Sequence, residues 1–107
     1  MTLRWIALAA AGLLPGLLPG LAAAQDAQAL HVASLAATCA NCHGTQGRAV
    51  DGSLVPGLAG MPREYMSTQL KAFKSGGRPA TIMHQLSKGY SDAQIEQLAT
   101  YFAAQKK

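Results

Sequence analysis

The stretch Cys39-Ala40-Asn41-Cys42-His43-Gly44 decides how this 107-residue chain is read. It holds both cysteines of the sequence, spaced i and i+3, with a histidine directly after the second. Four chemistries use such a pair. A disulfide would close a very small loop and constrain the unfolded chain little. A thioredoxin-like dithiol needs a βαβ setting, and no strand pattern surrounds this motif. Zinc wants four ligands, usually as two spaced pairs, and here one pair is joined only by the scattered His31, His43 and His84. Covalent haem uses every residue of the motif. Two thiols on one helical turn add to the two vinyl groups of a porphyrin, and the histidine binds the iron from below. The expected cofactor is therefore one haem c, with its iron, held by Cys39, Cys42 and His43.

The chain around the motif agrees. Arg4 precedes an apolar run, Trp5 to Leu21, that ends in Ala22-Ala23-Ala24. This is the pattern of a signal peptide over residues 1–24, with cleavage expected after Ala24. An uncleaved membrane anchor is the alternative, since the run is just long enough to span. Pro15-Gly16 and Pro19-Gly20 argue against a continuous spanning helix. In either case the domain, residues 25–107, is exported, which predicts a periplasmic location or the outer face of the membrane. There cysteines are oxidised or captured by a cofactor. A domain this short buries little core and needs a staple. A large apolar cofactor supplies one.

The formal charge is +4. The basic residues are scattered and form no stripe, which excludes a nucleic-acid binder. A few of them are candidates for a docking patch facing an acidic redox partner.

The predicted fold class is all-α, with three main helices and two long loops. Asp26 to about Ala40 is alanine-rich and reads as a helix. Glycines and Pro56 punctuate residues 44–60, a loop. Pro62 is tolerated at a helix start. Arg63 to Ser75 then carries Met66, Leu70 and Phe73 at helical spacing and stops at Gly76-Gly77. One or two helical turns are expected around Ile82–Ser87. Ser91-Asp92-Ala93-Gln94 is a capping box. It opens a last helix to about Gln105, with Ile95, Leu98, Ala99 and Phe102 on one face. Long loops in so small a domain imply a function, and wrapping a cofactor is one.

A second axial ligand would close the iron. Met66 falls on the apolar helix face and reads as core. Met61 follows closely after His43 and has little chain with which to cross the ring. Met83 has the middle helix between itself and His43 and is the preferred candidate. His84 and Met61 remain behind it. A thioether raises the potential relative to a second histidine.

Beyond the motif, the stretches Pro56-Gly57-Leu58-Ala59-Gly60, Tyr65 to Gly76, Arg78 to Met83 and Lys88 to Asp92 resemble class I c-type cytochromes. Within them the chain is most similar to a haem domain of the cytochrome subunit of flavocytochrome c sulfide dehydrogenase, with the cytochrome c4 group next. The resemblance covers nearly all of residues 30–105. It implies a small cytochrome c fold with first and last helices crossing. It makes Met83 the sixth ligand, and it makes the Pro56 carbonyl the acceptor of a hydrogen bond from the other ring nitrogen of His43. Arg78, Lys88 and Tyr90 lie where they can reach a propionate. The departure is that such subunits, and cytochrome c4, carry two such domains, whereas one Cys-x-x-Cys-His stands here.

The function expected is one-electron transfer by a non-enzymatic monohaem carrier with His43 and Met83 as iron ligands. It would serve as subunit or partner of a sulfide-oxidising flavoprotein, or as a shuttle toward a terminal oxidase or reductase. The rival from another class is an exported haem protein with an open or labile sixth site, for gas sensing or peroxidase-like chemistry. The plainest alternative is a helical domain with a disulfide.

Overall fold

The computed structural model describes residues 18–107. Arg4 and most of the apolar run lie outside the described residues. The element order is α1 (Leu18–Ala37), α2 (Ala40–His43), a 3₁₀ turn (Thr45–Gly47), α3 (Arg63–Ser75), α4 (Met83–Lys88) and α5 (Asp92–Ala103). No strand occurs among the described residues. Nor, among them, is any helix long and apolar enough to cross a membrane.

α1 is alanine-rich and includes Pro19 and Gly20 among its described residues. It runs unbroken through Ala24-Gln25 and is exposed from Gly20 to His31. Only its last turns are covered, with Ala36 buried in the core. The helix expected to reach Ala40 stops at Ala37. Thr38 is the reason: its hydroxyl donates to Leu35 O at 2.7 Å, and its amide turns back to the same carbonyl. The chain turns over Thr38-Cys39 and restarts as α2, which carries Cys42 and His43.

α3 begins after Pro62, whose carbonyl accepts the Met66 amide at 3.0 Å. Glu64 lies in its first turn and Lys74 in its last, matching the helix dipole. It ends at Gly76 in the left-handed region, φ 82°. α5 opens with a complete capping box: Gln94 N donates to Ser91 Oγ, and Ser91 N to Gln94 Oε1.

The core joins Ala36 of α1, Leu58 of the loop, Met66 and Leu70 of α3, and Ile95, Leu98, Ala99 and Phe102 of α5. α3 is further fastened to α5 by Glu96, which accepts from Ser67 Oγ, Lys71 Nζ and Arg63 Nη2. Lys74 Nζ donates to Asp92 Oδ1 and to Tyr90 O, both at 2.8 Å. The loop after α2 is anchored by Gly47, whose carbonyl accepts the amides of Leu58 and Ala59.

Candidate cofactor cleft

A cleft of about 550 Å³ opens between these elements, within the size range of small-molecule sites. It is lined by segments from almost the whole domain. Thr38, Cys39, Cys42 and His43 come from the first turns, and Leu54 to Leu58 from the loop. Met61, Met66 and Phe73 come from α3 and its approach, and Arg78, Thr81, Ile82, Met83, Leu86, Tyr90 and Leu98 from the C-terminal part. Most of this lining is apolar, as a porphyrin plane requires.

Both thiols are unpaired. Cys42 is exposed and Cys39 half-buried. Burial pushes the Cys39 thiol up from its ordinary range, against a lowering pull from the Thr38 and Tyr90 hydroxyls. His43 is buried at 9% exposure, and its Nδ1 lies 2.7 Å from Pro56 O. A carbonyl only accepts, so Nδ1 carries the proton. In that orientation Nε2 is the nitrogen left to offer a lone pair to a metal. Two free thiols i and i+3, an oriented imidazole and an apolar cleft are the donor set of haem c. The residues fit the group.

Met83, the first residue of α4, lines the cleft, and so do Met61 and Met66. His84 is not among the lining residues. Its Nδ1 is buried and unpartnered, and Ser87 Oγ, one helical turn after Met83, is in the same state. No cluster of three histidine, cysteine or acidic side chains stands ready for an ion among the described residues, so the zinc reading of the motif finds no ligand set.

The basic residues do not gather at the cleft. Arg78 is the one charged residue in its lining. It stacks 4.6 Å over the Phe73 ring and bonds Gln69 Oε1. Lys71 and Lys74 are engaged with Glu96 and Asp92. Apolar side chains fill the rim instead: Leu54, Ile82 and Leu86 are all exposed. Of the three residues placed near a propionate by the resemblance, Arg78 and Tyr90 line the cleft and Lys88 does not.

Sequence reasoning missed Thr38. Its Oγ1 meets Tyr90 OH at 2.9 Å, across 52 residues of chain. The only local sign was a hydroxyl residue directly before the first cysteine.

The family model described as Cytochrome c matches residues 24–106. Over 68 residues the chain is 41% identical to the cytochrome subunit of sulfide dehydrogenase of Chlorobaculum tepidum, covering 64% of this chain and 60% of that protein. Over 71 residues it is 39% identical to the thiosulfate dehydrogenase electron acceptor of Thiomonas intermedia, covering 66% of this chain and 33% of that one. Over 72 residues it is 33% identical to cytochrome c-554(548) of Halomonas halodenitrificans, covering 64% of this chain and 86% of that one. The chain thus spans three-fifths of the first relative's length and one third of the second's.

Proposed function

Because the chain belongs to the cytochrome c family, an electron-transfer family that binds covalent haem c, we propose that it carries single electrons on an iron closed by His43 and Met83. The observation that carries this reading is the placing of an Nδ1-protonated His43 and of Met83 in the lining of one cleft that excludes His84. Met66 is 3% exposed and packed with Leu70 in the core, which suits it to a wall. Met61 lies in a turn whose amide is already bonded to Leu58 O.

When bound, the haem supplies the one-electron Fe(III)/Fe(II) couple. The residues of the chain do the rest. Cys39 and Cys42 tether it, Pro56 O holds the His43 ring at one angle, and the apolar walls keep water off the iron. Fixed ligands leave no site for substrate, so bond chemistry belongs to the partner. The partner we infer is a dehydrogenase that oxidises reduced sulfur, a flavoprotein acting on sulfide being the first choice. The names of two relatives support this, one a sulfide dehydrogenase subunit and one a thiosulfate dehydrogenase electron acceptor. The exposed apolar rim of Leu54, Ile82 and Leu86 is the surface for its approach. Cleavage after Ala24 and a periplasmic site complete the proposal, checked by the mass of the mature chain.

The visible spectrum of the matured protein tests the ligand set. Ferric iron bound by methionine sulfur shows a weak far-red band, expected in the parent and in His84→Ala and absent from Met83→Ala. A band that survives Met83→Ala moves the sulfur to another methionine. A parent that lacks the band and binds carbon monoxide when reduced has an open site, and the carrier reading falls.

A further inference from the structure

α4, the helix that begins with Met83, is weakly secured. It has six residues, its N-cap Ile82 offers no side-chain cap, and its first turn carries no acidic residue. α3 and α5 each carry one there, and α5 adds a full capping box. Among the described residues, no backbone hydrogen bond ties residues 79–84 to another element; Ile82 O accepts only from Gln85 N and Leu86 N of its own turn. α4 also buries two polar atoms without partners, His84 Nδ1 and Ser87 Oγ, and Ser87 is fully buried. A buried polar group left unpaired costs the folded form the hydrogen bond that water would give it. Opening α4 hands both groups to water. Met83 and His84 are consecutive, and on a helix they point about 100° apart. That angle keeps His84 out of the cleft while α4 is wound. Unwinding the first turn removes it.

We propose that α4 is a ligand switch: when its first turn unwinds, His84 takes the place of Met83 on the iron. This rests on the His43 and Met83 reading above. The exchange breaks the bond to the Met83 sulfur and forms one to His84 Nε2. Both donors are neutral, and no electron or proton is gained or lost. His84 then keeps its proton on Nδ1, where water accepts it. A histidine in place of a thioether lowers the potential and so favours oxidised iron. The exchange therefore belongs to the oxidised protein, and reduction returns Met83. An oxidised carrier in the exchanged form is a poor acceptor of electrons until α4 rewinds.

The test takes the matured ferric protein through urea below its global unfolding. The far-red band, the electron paramagnetic resonance spectrum and the far-ultraviolet helix signal are read together. The band should fade before the helix signal does, while the iron stays low-spin with the resonance of two imidazoles. Reduced protein, rapidly oxidised in the same urea, should show the band first and then lose it. In His84→Phe the band should persist to higher urea and give way to high-spin iron. Ser87→Ala removes one unpaired group and leaves both ligand residues in place. Its ratio of exchanged to native protein at a given urea should fall about fivefold, the low end of the cost of one unsatisfied group. Band and helix signal lost together in the parent overturn the proposal. So does a low-spin product in His84→Phe, which would give the place to another donor. A ratio in Ser87→Ala equal to the parent's overturns the account of why α4 opens. A parent that lacks the band before urea is added overturns the Met83 reading, and this inference with it.

Discussion

Gly47 lies against the Phe102 ring so closely that a Cβ on Gly47 would stand 2.8 Å from Phe102 Cδ1. The same atom would stand 2.8 Å from Ala59 N and 2.9 Å from Leu58 Cβ. Gly47 also adopts φ 77°, a region that other residues enter with strain. The loop that carries Pro56 to His43 therefore touches the last helix at a point where no side chain fits. Gly47→Ala should destabilise the holoprotein by about 2–4 kcal/mol, the sum of left-handed strain and overpacking. Denaturant unfolding followed at a haem band measures it. A change below about 0.5 kcal/mol, the usual scale of surface substitutions, would mean that the loop moves aside.

Glu96 gives the protein an acid limb. Lys71 first, then Ser67 and, more weakly, Arg63 hold its carboxyl down from 4.5 to about 2. A carboxylate with a lowered folded pKa adds stability above its unfolded pKa and loses it as the pH falls toward the folded one. Thermal midpoints should decline between about pH 4.5 and about pH 2. Glu96→Gln should flatten that part of the curve and leave neutral-pH spectra unchanged. Equal slopes in the two proteins would assign the acid limb elsewhere, with Asp92, lowered by Lys74, the next carboxylate to test.

The capping box makes a sharper, smaller claim. Ser91→Ala removes the acceptor for Gln94 N, and the expected loss is about 1 kcal/mol. Ser91→Gly should cost only a few tenths of that order. Melting curves of the two variants decide it, since a nonspecific loosening would make glycine the worse of the pair.

Removing the cofactor should do far more. The cleft reaches Leu98 and Leu70 of the core, and the fully buried large side chains described are few: Phe102, Ile95 and Leu98. A domain this small has little else to fold around. The double variant Cys39→Ala, Cys42→Ala, produced without haem, should keep far-ultraviolet helix signal and lose near-ultraviolet structure, as loosely packed helical states do. A cooperative melt like that of the holoprotein would show a self-sufficient core.

What the sequence disclosed follows the range of the forces involved. α3 and α5 were legible to the residue at their starts, because Pro62, the 3–4 spacing of Met66 and Leu70, Gly76 and the Ser91–Gln94 box are all local. The end of α1 was not. Alanine propensity carried the expectation to Ala40, and a single Thr38 side chain competing for the Leu35 carbonyl broke the helix three residues earlier. The thiol and imidazole part of the site was legible for the same local reason, since Cys39, Cys42 and His43 share one turn. The exclusion of His84 from the cleft and the meeting of Tyr90 with Thr38 depend on how α4 and its following turn settle on the rest, and no spacing rule reports that.

The cleft also has an order in time. Its cysteines lie near the beginning of the domain and its closing walls, Tyr90 and Leu98, near the end. A chain made from its N-terminus exposes both thiols well before the pocket that shelters Cys39 exists. During that interval, in the periplasmic setting proposed above, the two sulfurs are an unguarded pair in an oxidising space. Whatever keeps them reduced must act on the unfinished chain, and faster than the last helix arrives.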